Sequence, residues 1–159
     1  AEAVWLGFGG TVLRFANLYG GVGGDGVADK FARAVHRLDP LTVYGDGQQK
    51  LDLVYVYDAA RAVEHTLHRC GAPMFDPATA RGPINIGSGA PISIRRLAEL
   101  FSTSQFPGVP IEHKPAPAGK LWPDRSLGIG RARDWIGWRL ATRIENGVRL
   151  AVAAEAAAS

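Results

Sequence analysis

The chain has 159 residues, 47% of them hydrophobic and 21% charged, with 18 Lys and Arg against 15 Asp and Glu for a net charge of +3. That is the size and balance of one ordinary domain able to bury its own core, and 20 glycines and 10 prolines mark a loop-rich α/β pattern rather than a helical bundle. A single cysteine, Cys70, excludes an internal disulfide framework and leaves a reducing cytoplasm as the expected location. The positive surplus is spread out with no basic run, which suits small anionic ligands such as phosphates and excludes nucleic acid as the expected partner. No apolar stretch approaches the roughly 20 residues that span a bilayer. The opening Ala1-Glu2-Ala3-Val4-Trp5-Leu6 lacks the basic start of a signal peptide, so neither a membrane nor a secreted reading is expected.

The first predicted strand is Thr11–Phe15, apolar without strict alternation, as a strand covered on both faces would be. A glycine-rich loop follows, and Val27, Phe31, Ala34, Val35 and Leu38 then form one stripe of a helix that Pro40 stops. Leu41–Tyr44 reads as a strand closed by the turn Gly45-Asp46-Gly47, with Asp46 as the turn former, and Leu51–Tyr57 as another strand. Asp58 is placed to cap a helix running to about Arg69 that buries Ala59, Ala62, Val63 and Leu67. Residues 71–82 read as a surface loop, Pro83–Gly87 as a short strand, and Ser93 as the cap of a helix carrying Ile94, Leu97, Ala98 and Phe101. An extended piece near Ile111 lies in a proline-punctuated tract, and a short helix spans Arg131–Ile136. The last helix opens on a capping box, Thr142-Arg143-Ile144-Glu145, and its alanine-rich end is expected to fray.

Gly21-Val22-Gly23-Gly24-Asp25-Gly26 matches the G-x-G-x-x-G dinucleotide fingerprint by letter, with Asp46 about twenty residues on, where a ribose-binding acid belongs. Four residues separate the preceding strand from its first glycine, however, and the fingerprint needs a turn directly off the strand. A substrate-side loop is therefore the stronger reading. His65 and His68 lie three apart on one helix face with no third metal ligand nearby, so solvated surface histidines outweigh a metal site. Cys70 lies at a helix C-terminal end, away from the positive dipole that activates thiols. Trp122, Trp135 and Trp138 are read as core filling ahead of pocket walls. Asp46, Asp52, Asp58 and Glu112 are the available acid/base candidates, although Asp46 and Asp58 are better explained by the turn and the cap.

The order of several blocks says more than any one of them. Leu13-Arg14-Phe15-Ala16-Asn17-Leu18-Tyr19-Gly20, Pro40 to Gln49, Asp52 to Ala62, Ile84-Asn85-Ile86-Gly87-Ser88-Gly89, Ile92 to Ala98 and Gly137-Trp138 follow one another along the chain. Over about residues 11–150 this resembles the C-terminal, substrate-binding half of the extended short-chain dehydrogenase/reductase family, the NAD-dependent nucleotide-sugar epimerases and dehydratases. The resemblance implies an α/β fold for residues 1–159 as a single domain. It would be a partial version of that family's fold, a small mixed sheet with flanking helices, completed by oligomerisation. It implies that Asn17 holds a substrate diphosphate, that the Tyr44 ring lies near the base, that Asn85 approaches the nucleotide, and that Lys120 or Arg125 meets the phosphates. The departures are specific: Leu51 stands where the family usually has an arginine, Tyr57 where it has the first of two aspartates, and Gly130 where it has the aspartate of the late helix entry.

The family's N-terminal cofactor loop and Tyr-x-x-x-Lys pair do not occur in these residues; the tyrosines are followed four places on by Gly23, Gln48, Ala59 and Arg61. The expectation is a chain that binds a small-molecule substrate, with NAD bound only if a partner chain supplies the Rossmann half. Unpaired edges at Thr11–Phe15 and Ile84–Ile86, with Trp5, Leu6 and Phe8 beside them, point to a homodimer or a separate cofactor-binding chain as partner. Two alternatives stand beside this: a stand-alone, cofactor-independent isomerase, cyclase or dehydratase of a biosynthetic pathway, and a non-catalytic binding subunit.

Overall fold

A computed structural model describes residues 11–70, 82–104, 108–117, 123–124 and 126–159. In chain order these form β1 (Leu13–Phe15), β2 (Asn17–Tyr19), α1 (Val27–Arg37), β3 (Leu41–Tyr44), β4 (Lys50–Leu51), β5 (Leu53–Tyr55), α2 (Val56–Cys70), β6 (Ile84–Ile86), β7 (Ile92–Ser93), α3 (Ile94–Thr103), β8 (Ile111–Lys114), α4 (Gly130–Ile136) and α5 (Ile144–Ala157). The strands make parallel ladders β1–β6, β2–β5 and β3–β8 and one antiparallel ladder, β4–β7. This is the expected α/β fold with a small mixed sheet and flanking helices.

β1 and β2 are one extended run that changes partner at Ala16. The Ala16 amide donates to the Ile86 carbonyl at 2.8 Å, and the next amide, Asn17, donates to Asp52 at 3.1 Å. The run thus leaves the β6 ladder and joins the β5 ladder within one residue, and crevices open where strands part in this way. The two strands expected to present bare edges pair with each other, Leu13 opposite Ile84 and Phe15 opposite Ile86, and among the described residues each keeps one edge with no further strand on it. Trp5, Leu6 and Phe8 lie outside the described residues.

Two apolar clusters hold these elements. The larger packs α1, α3 and α5 on β3 around Phe31, Val35, Leu41, Val43, Leu97, Phe101 and Val148; the smaller packs α2 and α4 on β6 around Ala62, Ile84, Ile86 and Trp138. Phe31 and Phe101 meet edge to face with ring centres 5.8 Å apart, an arrangement that aromatic quadrupoles favour. Ser93 caps α3 as expected, accepting from the Arg96 amide at 3.1 Å.

Several local expectations are overturned by packing. The helix α2 starts at Val56, two residues before Asp58, so Asp58 lies in its first turn rather than at its cap. Its inner stripe is Ala59, Ala62 and Thr66, while Val63 and Leu67 turn outward at 42% and 68% exposure. Leu38 does not extend the stripe of α1: it takes a left-handed conformation (φ 59°) as the C-cap, 67% exposed, and its amide closes onto Ala34 and Val35. The capping box at Thr142 is not made. Arg143 is the N-cap of α5 with no side-chain bond, and the Thr142 amide is taken by Asp58 instead. The alanine-rich end stays helical to Ala157 because Ala151, Val152 and Glu155 are buried on that helix.

Gly147 in α5 shows how tight the larger cluster is. A Cβ there would fall 1.8 Å from the Tyr19 hydroxyl oxygen, and burial with the nearby Asp58 charge holds that hydroxyl protonated far above the usual tyrosine range. Alanine for glycine in a helix normally stabilises by about 1 kcal/mol. Here Gly147→Ala is expected to destabilise by roughly 1–3 kcal/mol in urea unfolding, and the pair Gly147→Ala with Tyr19→Phe to recover part of the loss. A neutral or stabilising single variant would contradict the packing.

Candidate functional site

Asn17 opens β2 where the strand changes partner, and its side chain is aimed from below. Its Nδ2 donates to the Asp52 carbonyl at 3.1 Å, the same oxygen that takes its backbone amide. This places Asn17 on the wall of a cavity of about 640 Å³ between α1, β3 and β4, lined also by Lys30, Phe31, Thr42, Tyr44, Gln49, Leu51 and Ile94. Tyr44, the last residue of β3, keeps 44% of its surface exposed, because the pleat that buries Leu41 and Val43 turns Thr42 and Tyr44 to the opposite face. The fold therefore brings Asn17 and Tyr44, 27 positions apart, to one cavity. On the other side of Asn17 a smaller hollow of about 390 Å³ is lined by Phe15, Asp52, Asp124, Ser126 and Leu127.

Asn85 stands apart from both: on β6, its Nδ2 donates to the Gly128 carbonyl at 3.3 Å, tying the strand to the segment before α4. Lys120, Trp122 and Arg125 lie outside the described residues; their neighbours Pro123 and Asp124 line the cavity and the hollow respectively. Leu51 faces the cavity while Lys50 is exposed, as alternating strand positions require, and the Lys50 amide is held by Asp124 Oδ1 at 2.7 Å.

The acid/base candidates are occupied otherwise. Asp52 is buried with Oδ1 accepting from the Ser88 amide (2.7 Å) and hydroxyl (2.5 Å) and Oδ2 from the Leu127 amide (3.3 Å). Asp58 is buried with its carboxylate on the Ala141 and Thr142 amides at 3.2 and 2.9 Å and on Arg61 at 3.0 Å. Asp46 closes its turn on the Gln48 amide at 3.0 Å, and Glu112 lies exposed on β8, 4.0 Å from Lys114. His65 binds the Ile136 carbonyl through Nδ1 and His68 pairs with Glu64; among the described residues no group of three His, Cys, Asp or Glu could hold a metal.

The glycine-rich loop does not fit a dinucleotide. It wraps the buried carboxylate of Asp29, which accepts the Gly20 amide at 2.9 Å, and a Cβ on Gly24 would lie 2.4 Å from Asp29 Oδ2. Arg33 pins the loop through the Gly24 carbonyl at 2.7 Å. A buried carboxylate that already holds the Gly20 amide repels a pyrophosphate from this loop.

Lys30, Thr42, Gln49 and Phe31 are the cavity residues that sequence reasoning passed over. α1 reads as a core helix, and nothing local says that its first turn also walls a ligand space. No helix among the described residues is long and apolar enough to cross a membrane.

Residues 3–77 match the sequence model of the NAD dependent epimerase/dehydratase family. The chain is 34% identical over 111 residues to the UDP-N-acetyl-alpha-D-glucosaminuronate decarboxylase of Bacillus cytotoxicus, covering 64% of this chain and 32% of that protein. It is 27% identical over 148 residues to the UDP-glucuronate 4-epimerase of Thermodesulfobacterium geofontis, covering 89% and 42%. Among solved structures it superposes on Pal from Bacillus thuringiensis with a TM-score of 0.79 at 28% identity, covering 99% of this chain and 51% of that one. On the UDP-glucose 4-epimerase of Thermotoga maritima, solved with UDP-glucose, the TM-score is 0.76 at 27% identity, covering 93% and 46%. The chain is thus a homologue of the nucleotide-sugar epimerases and dehydratases with their α/β fold. It spans less than half the length of these curated relatives and about half that of these solved structures.

Proposed function

We propose that this homologue of the nucleotide-sugar epimerases and dehydratases is their substrate-binding half, and that the cavity between α1, β3 and β4 takes the nucleoside diphosphate part of a nucleotide sugar. The observation that carries this is the convergence of Asn17 and Tyr44 on one cavity. The half-exposed Tyr44 ring offers a stacking face for a base, and Asn17, Thr42 and Gln49 offer neutral hydrogen-bonding groups to sugar and phosphate oxygens. Asn17 is held in place by the Asp52 carbonyl, so little side-chain entropy is lost when it binds. The hollow beyond Asn17 is the space for the sugar. On this reading hydride chemistry lies outside these residues, which carry no Tyr-x-x-x-Lys pair and whose glycine loop faces the Asp29 carboxylate. That part of the reaction belongs to a cofactor-binding half, on a further stretch of chain or on a partner.

Calorimetric titration with UDP, GDP, UDP-glucose and UDP-glucuronic acid, with NAD as control, tests this. A nucleotide sugar is expected to bind, and Tyr44→Ala to weaken it about tenfold or more, the worth of one base stacked on an aromatic ring. Binding of NAD alone, or of none of the panel, overturns the reading. Leu51 in the cavity wall favours one alternative, a cofactor-independent isomerase, cyclase or dehydratase acting on a less charged substrate, and an inert nucleotide panel would turn the search there.

A further inference from the structure

Among the described residues lining the larger cavity, Lys30 alone carries a positive charge, and none is acidic. Asn17, Thr42, Tyr44 and Gln49 can donate hydrogen bonds to an anion but cannot neutralise it, and Leu51 can do neither. Lys30 extends from the first turn of α1, its side chain 58% exposed, with Nζ 3.0 Å from Asp25 Oδ1. Asp25 belongs to the glycine-rich loop and its side chain is 91% exposed. An ion pair this open to water is weak, so Lys30 exchanges its partner at little cost. A phosphate entering the cavity offers the ammonium more charge and more acceptor oxygens, in a less hydrated place, than a fully solvated carboxylate does.

We propose that Lys30 is a residue that binds the phosphates of the ligand, and that Asp25 is its resting partner, displaced as the ligand enters. The glycine loop acts here by presenting a competing carboxylate, not by cradling phosphate itself. Lys50 is no substitute, since it is exposed and outside the cavity lining. The inference rests on the nucleotide reading and adds to it a source of positive charge and an internal competitor.

The test titrates the wild-type chain and the variants Lys30→Ala, Lys30→Arg and Asp25→Asn with UDP and GDP and with the bare nucleosides uridine and guanosine, at two salt concentrations. Lys30→Ala is expected to weaken the diphosphate about tenfold or more while leaving the matching nucleoside unchanged, and Lys30→Arg to retain most of the affinity. Asp25→Asn is expected to tighten the diphosphate by up to about fivefold, the most an exposed pair can withhold. The loss of diphosphate affinity on adding salt should be smaller in Lys30→Ala than in the wild type. Unchanged UDP and GDP binding in Lys30→Ala overturns this inference alone, as does an equal loss for nucleoside and diphosphate, which would mark a packing role. A wild-type chain that binds neither diphosphate nor nucleoside removes the nucleotide reading and the inference with it.

Discussion

Asp58→Ala is expected to lower the stability of the chain by about 2–5 kcal/mol, because it removes a buried carboxylate that accepts from two main-chain amides. The Asp58 carboxylate takes the amides of Ala141 and Thr142, and its carbonyl takes the Trp138 indole N–H at 2.9 Å. One residue in the first turn of α2 thus fixes where the chain runs between Trp138 and the start of α5, 80 to 84 positions later at the bonded residues. Arg61, 42% exposed, loses its partner at little cost because it can be hydrated. Asp58→Asn keeps one acceptor oxygen and should lose roughly half as much. Urea unfolding followed by tryptophan fluorescence reads both variants, and a loss below about 1 kcal/mol for the alanine would mean that the two amides find other partners.

The second large effect is expected at Asp52, where stability and the site are joined. Three donors converge on its two oxygens: Ser88 supplies an amide and a hydroxyl to Oδ1 and Leu127 an amide to Oδ2. Gly87 allows the approach, since a Cβ there would lie 2.6 Å from Oδ2. Asp52→Ala is expected to cost about 2–4 kcal/mol and to release the 126–127 segment that lines the hollow beside Asn17. Asp52→Asn should be nearly as damaging, because its NH2 must face one of these N–H donors wherever it points. Unfolding curves give the stability, and titration of the folded variants with UDP-glucose against UDP separates the hollow from the cavity: the nucleotide sugar should weaken more than the diphosphate. Equal weakening would mean that Asp52 acts on the fold as a whole.

Both residues were visible in the sequence as acids, and neither role was. Local pattern alone makes Asp58 a helix cap and Thr142 the start of a capping box, yet the fold joins the two and uses the Asp58 carboxylate for the Thr142 amide. Val63 and Leu67 look like core by helical spacing, but small Ala59 and Ala62 let α2 lie close on the strands, which rotates the larger residues outward. Other local expectations, Ser93 accepting from the Arg96 amide and Asp46 from the Gln48 amide, agree with the structure.

The sequence by itself determined the order of the helices and of the main strands, the α/β class and most of the apolar faces that make the two clusters, because these follow from backbone preferences and from spacing within a few residues. It also marked Asn17 and Tyr44. Tertiary structure alone decided that these two share a cavity, that Asn85 stands outside it, that Asp29 takes the Gly20 amide, and that Lys30 lines the same cavity. Each of those outcomes depends on groups brought together from distant positions or on whether a polar atom finds its partner inside the protein, and no local pattern encodes either.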